Sequence, residues 1–308
     1  MRAVQGSVVL RQNAFPSGLA LIVLASVLWG TTGLTSKILN NLSAIDALSV
    51  GALRLLTASP ALLLLARALN PGSLAPLLKR EWRAALLMGL SMAGYNGCFF
   101  AALARTSVTA GTLLALCTAP LFVAVLARAF LSEPLTRPML LALAAGLTGT
   151  ALLVGGQGGK DLLRLDYAFG NLLALGAGFS YAVYALTGRA KTHSAPPASL
   201  AALSFTAAAI LLTLFALANG LRLPTNWPAG LAVLYLGLGP TALAYALYLR
   251  GLKTVPATVA SIGTLVEPLT ASILAALFLG ERLTPSGLMG AGLLLSSLAI
   301  LTFGNRQK

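Results

Sequence analysis

The sequence predicts an all-α integral membrane protein of ten transmembrane helices in two inverted five-helix repeats, with both termini cytoplasmic. Composition, the length of the apolar runs and internal self-similarity carry that expectation. Of 308 residues, 57% are apolar and only 9% charged, where an average globular chain carries about 25% charged residues. The mean hydropathy is +0.87. So few charges cannot clothe a soluble surface. One helical crossing takes about 20 apolar residues, and a chain of this length with short loops holds about ten.

Apolar runs bounded by charges, proline or glycine fall at 17–38, 44–68, 83–104, 107–130, 137–156, 167–189, 198–219, 228–250, 255–279 and 286–304. The first run follows Arg2 and Arg11 and so resembles a secretory signal. It is longer than a signal's apolar core, contains Trp29 and Lys37, and has no small-residue cleavage pattern. It is expected to be a retained span. The longest connector is the glycine-rich stretch at 155–166, which leaves no room for a soluble domain.

Orientation follows from Lys and Arg, which accumulate on the cytoplasmic side. With a cytoplasmic N-terminus, 14 of the 21 basic residues fall inside, 6 outside and Arg54 within the second span. That asymmetry accounts for most of the formal charge of +14 without a nucleic-acid partner. Cys98 and Cys117 both lie in apolar runs, so no disulfide framework is expected.

A shift of 148 residues lays 119–136 on 267–284, matching Pro120 to Pro268, Leu131 to Leu279, Glu133 to Glu281 and Thr136 to Thr284. A shift of 152 lays Trp29 on Tyr181 and Thr35-Ser36-Lys37 on Thr187-Gly188-Arg189. The chain therefore reads as two units, 17–156 and 167–304, of five helices each. Five is odd, so equivalent helices run in opposite directions through the bilayer. Inverted repeats of this kind occur in secondary transporters, with substrate near the midplane between the repeats. A symmetric bundle acting as receptor or scaffold is the alternative of another class.

The segments LWGTTGLTSK at 28–37, ALRLL at 52–56, APLF to LSEPLT at 119–136 and EPL to LGERLT at 267–284 resemble the EamA family of the drug/metabolite transporter superfamily. The resemblance covers nearly the whole chain as two EamA units. It implies ten helices, inverted repeats and export of small metabolites across the bacterial inner membrane. Among the family's members the chain is most similar to the bacterial amino-acid exporters, the YddG type among them.

Ionisable side chains deep in a membrane are costly and commonly functional. Arg54, about ten residues from the outer end of the second span, and Glu267, about twelve from the inner end of the ninth, both reach the midplane at about 1.5 Å per residue. They suit a zwitterion, Glu267 taking an ammonium and Arg54 a carboxylate. A structural ion pair and a proton-coupling role for Glu267 stay open beside that reading. The resemblance also marks Lys37, at the outer end of the first span, as a gate or a steering charge, against simple snorkelling to the interface.

Pro120 and Pro268 occupy matching midhelix places and lack an N–H. This is expected to free the carbonyls of Leu116 and Thr264 and to create hinges. Thr118 and Thr264 are the expected polar lining beside them. Trp29, Tyr95, Tyr181 and Tyr184, with Asn96, are the expected cavity walls, suited to amphipathic or cationic ligands. Tyr245 and Tyr248, with Trp82 and Trp227, read as an interfacial belt.

Catalytic chemistry has little to work with. His193 is the one histidine, and no HExxH, Ser-His-Asp or Walker pattern is present. No enzyme activity, cofactor or metal is expected. The functional expectation is an alternating-access exporter of small metabolites, amino acids first, in contact with membrane lipid and driven by the substrate gradient or by protons. Export of cationic amphiphilic drugs is the second reading.

Overall fold

The computed structural model describes residues 2–154, 164–280 and 284–304, with side chains from Ser17 onward except at Val108. Most of the glycine-rich connector, Lys160, Glu281, Arg282, Arg306 and Lys308 lie outside the described residues.

The helices are α1 (Arg2–Leu42), α2 (Ala47–Leu69), α3 (Leu74–Leu103), α4 (Val108–Phe130), α5 (Arg137–Val154), α6 (Ala168–Lys191), α7 (Pro197–Ala218), α8 (Trp227–Gly237), α9 (Ala244–Leu252), α10 (Ala257–Gly263), α11 (Val266–Leu279) and α12 (Pro285–Gly304). A π-helical turn at Leu238–Leu243 joins α8 to α9. Among the described residues these build ten spans long and apolar enough to cross a bilayer, the eighth running Trp227–Leu252 and the ninth Ala257–Leu279. All-helical architecture is what a membrane demands, because no water is present to satisfy an open backbone.

Local sequence sets the ends. Asp46 caps α2, its carboxylate accepting from the Ser49 N–H at 2.9 Å and the Ser49 hydroxyl at 2.7 Å. Ser107 caps α4 through the Ala110 N–H. Asn226 caps α8 and also donates to the Leu42 carbonyl at 2.6 Å, tying the end of α1 to the start of the eighth span. Gly280 ends α11 at φ 68°, a left-handed conformation that glycine adopts without strain. The third span begins at Leu74, well before the expected residue 83, because a bend at Glu81 (φ −118°, ψ 21°) lets helix continue on both sides.

The ninth span is where the sequence expectation is corrected. Pro268 does not leave the Thr264 carbonyl free: the chain tightens there and Glu267 N–H donates to it at 3.0 Å. The broken ladder is repaired by side chains. Thr264 Oγ1 donates to Ser261 O at 2.7 Å, and Ser26 on α1 reaches Gly263 O at 3.4 Å while bonding Ile22 O. The equivalent Pro120 sits buried inside an unbroken α4.

The principal packings are α2 on α7, α5 on α12, α3 on α6 and α7, α4 on α6, and α1 on α9 and α11, with α8 against α2 and α1. Exchanging spans one to five with six to ten leaves this set unchanged. Small residues permit the closest approaches, as expected where lipid offers no hydrophobic drive for helix association. A Cβ on Gly149 would lie 2.8 Å from Gly290 O, and one on Gly290 2.5 Å from Gly149 O. Outward-facing Leu64, Val125, Phe215, Leu277 and Phe278 are exposed and form the apolar surface that lipid covers.

Candidate functional site

A cavity of about 930 Å³ lies between the two halves. Its inner part is walled by Trp29 on α1, Arg54 on α2, Tyr95 and Asn96 on α3, Tyr181 on α6 and Tyr245 on α9. Thr264, at the break in the ninth span, and Glu267 and Pro268 on α11 complete that part. From there it runs past Ser36, Thr109, Thr112 and Ser272 to Asn40, Ala47 and Thr284, which are exposed at one end of the bundle.

The floor is aromatic. The rings of Trp29 and Tyr245 lie 4.8 Å apart, Trp29 and Tyr181 meet edge-to-face at 6.5 Å, and Tyr95 is 6.1 Å from Tyr181. Such packing fixes the rings, because aromatic pairs favour offset or edge contacts. Asn96, 2% exposed, donates to Met92 O at 2.8 Å, which orients its amide.

Charge is placed asymmetrically on this floor. The shift of 148 lays Ala119 on Glu267, and Ala119 also lines the cavity. One half of the chain therefore offers a carboxylate where the other offers a methyl. Arg54 faces the same cavity, and its Nε is buried with no hydrogen-bond partner. Among the described residues Arg54 and Glu267 form no ion pair with each other, and the Glu267 carboxylate accepts no hydrogen bond. The two opposite charges thus face one cavity within electrostatic reach of each other but without a direct ion pair.

The structure thus brings together eight of the residues singled out from sequence: Trp29, Arg54, Tyr95, Asn96, Tyr181, Thr264, Glu267 and Pro268. Others lie elsewhere. Thr118 donates to Leu114 O at 2.7 Å and abuts Gly178, where a Cβ would come within contact of its Oγ1; it packs α4 on α6. Tyr184 is fully buried behind the floor, edge-on to Phe205 and Tyr245. Pro120 is off the wall, although Leu116 and Ala119 beside it line the cavity. Lys37 is exposed at the rim, next to the lining residue Ser36.

Tyr245 and Tyr248 are corrected from interfacial belt to core, at 4% and 0% exposure. The cause is the π turn. Pro240 cannot donate to Leu236 O, the Thr241 hydroxyl takes that carbonyl at 2.7 Å, and the extra residue turns the following face inward. Gly239-Pro240 within an apolar run was the available signal.

Ten apolar spans around a charged, aromatic-floored cavity define a polytopic membrane carrier. The chain matches the EamA-like transporter family over residues 16–155 and again over 168–303, and it belongs to that family. It is 36% identical over 294 residues to the uncharacterized transporter YwfM of Bacillus subtilis (strain 168), covering 93% of this chain and 94% of that protein. Over 144 residues it is 38% identical to the threonine/homoserine exporter RhtA of Escherichia coli (strain K12), covering 45% of this chain and 46% of that one. A solved crystal structure shares the fold with a TM-score of 0.82 at 21% identity, covering 95% of this chain and 98% of the other. The protein is a multi-pass transporter of the bacterial inner membrane, acting on small molecules.

Proposed function

We propose that the protein exports amino acids by alternating access, and that the bound substrate is the zwitterion. The observation that carries this is the unpaired placement of Arg54 and Glu267 on one cavity floor. A cationic ligand would satisfy Glu267 and leave the Arg54 guanidinium opposed; a simple anion would do the reverse. A zwitterion satisfies both, its carboxylate accepting from the guanidinium and its ammonium donating to Glu267. Charge-assisted hydrogen bonds of this kind are about twice as strong as neutral ones. The volume suits a small molecule, since such sites span about 300–1,000 Å³.

The two halves act as inverted repeats, 17–156 and 167–304, that rock about the site. The exchange symmetry of the packing supports this, as does the repeated family match. With the cytoplasmic N-terminus that the charge count favours, the cavity opens outward. The export of threonine and homoserine by the RhtA relative agrees with an amino-acid substrate. Aromatic walls favour the second reading, export of cationic amphiphiles, and Arg54 opposes it.

The test is uptake of labelled threonine, methionine and tryptophan into liposomes carrying the purified protein, with and without a pH gradient. Saturable, competed uptake supports the amino-acid reading, and a gradient effect adds proton coupling. Movement of a cationic dye with no amino-acid uptake would replace the reading by its rival.

A further inference from the structure

The cavity stops at Trp29, Tyr181 and Tyr245. Beyond that layer the protein is closed, yet buried polar groups continue: Trp29 Nε1 and Thr258 Oγ1 have no hydrogen-bond partner, and the hydroxyls of Tyr181 and Tyr248 have only each other, beyond full hydrogen-bond distance. The three aromatic residues adjoin one another. The Tyr248 ring lies 5.4 Å from Trp29 and 6.2 Å from Tyr181, and Tyr248 is within electrostatic reach of Glu133. The Thr258 N–H meets the same Glu133 carboxylate at 3.4 Å. Each orphaned buried hydroxyl costs about 1–3 kcal/mol, so a succession of them calls for a reason.

At the far end of that succession is a built polar junction. Glu133, 9% exposed, accepts from the Ala257 N–H at 3.0 Å and pairs with Arg189 Nε at 3.3 Å. Arg189 Nη1 in turn donates to Leu252 O at 2.8 Å and Lys253 O at 3.2 Å. One carboxylate of the first half thus holds the end of α6, the end of α9 and the start of α10, all of the second half. At its other end the cavity meets exposed Asn40, Ala47 and Thr284.

We propose that the Glu133–Arg189 pair is the latch of the gate on the closed side, and that Tyr181, Tyr248 and Thr258 line the second half of the substrate path once the latch parts. The unmet hydroxyls then find partners in water and in the polar ends of the passing substrate. This rests on the alternating-access reading above.

The experiment measures labelling of Thr258→Cys by a membrane-impermeant maleimide in the full-length protein. Cys98 and Cys117 are replaced by Ser, and vesicles are prepared in both orientations. With the latch intact, labelling is slow. Glu133→Gln is expected to speed it about tenfold or more, as loss of one charge-assisted hydrogen bond implies, and from one face of the membrane only. Should that variant fail to fold, Arg189→Lys carries the test, because it keeps the charge but loses the fork that reaches Leu252 and Lys253.

Unchanged labelling in folded Glu133→Gln or Arg189→Lys would overturn the latch and leave the pair a static brace. Labelling needs no substrate, so the two ideas separate. Faster labelling in a protein that moves no amino acid keeps the gate and removes the substrate reading. Amino-acid uptake with unchanged labelling does the reverse.

Discussion

Arg54 and Glu267 look into the same cavity from opposite halves of the chain and do not pair with each other. Charges at membrane depth are costly unless they meet a partner or a cavity, and here both face a cavity open at one end of the bundle. A brace between helices would have closed the pair. A binding site needs it open.

That distinction gives the first prediction. Glu267→Gln and Arg54→Gln each weaken amino-acid binding by about tenfold or more, the loss expected for a hydrogen bond to a charged group. Arg54→Lys is intermediate, since a point charge replaces a planar fork. Each change to Gln leaves the unfolding temperature in detergent nearly unchanged, because the two charges act on each other only at a distance beyond a direct ion pair. Calorimetric binding and thermal unfolding on the same samples check both halves; a structural ion pair would lose stability together with binding.

The contact of α5 with α12 gives a second. Gly149 and Gly290 approach each other so closely that a Cβ on either meets backbone carbonyl oxygen within 2.8 Å. Gly149→Val or Gly290→Val forces the helices apart at a cost of about 1–3 kcal/mol. Lower unfolding temperatures are expected for both. Gly220→Ala, where φ is 84° and no neighbour lies within 4 Å, instead loses stability through backbone strain alone.

Asp46, outside the spans, supplies a pH dependence. Partial burial pushes its carboxyl upward, but hydrogen bonds from the Ser49 hydroxyl and N–H, with Arg222 nearby, outweigh that and hold it below its ordinary 3.8. A carboxylate so depressed contributes stability that is complete above its unfolded value and is lost as pH falls through the lower folded one. Asp46→Ala therefore costs about 1 kcal/mol at neutral pH, as for loss of an N-cap. The deficit shrinks on acidification below 3.8. Unfolding of wild type and variant at neutral pH and at about pH 3 reads the difference directly.

The ten spans were legible because run length alone reports a bilayer crossing, and Trp29, Arg54, Tyr95, Tyr181 and Glu267 because depth follows from helical rise. What escaped was azimuth. Thr118 sits at the right depth, but its face meets Gly178 on α6, which no pattern within α4 encodes. Tyr245 was misread because the π turn at Leu238–Leu243 shifts the helical register by one residue. The Thr264 carbonyl was expected free because the argument from Pro268 assumed an α ladder, and the chain took a tighter turn instead.

The central claim is that the site recognises both ends of a zwitterion. Its most direct test compares binding of L-threonine with that of the amino alcohol lacking its carboxylate and the hydroxy acid lacking its ammonium, on wild type, Arg54→Gln and Glu267→Gln. The account predicts that wild type rejects both analogues by about tenfold or more. Arg54→Gln then ceases to discriminate against the amino alcohol, and Glu267→Gln ceases to discriminate against the hydroxy acid. Equal binding of all three ligands by wild type, or discrimination that survives both substitutions, would contradict it.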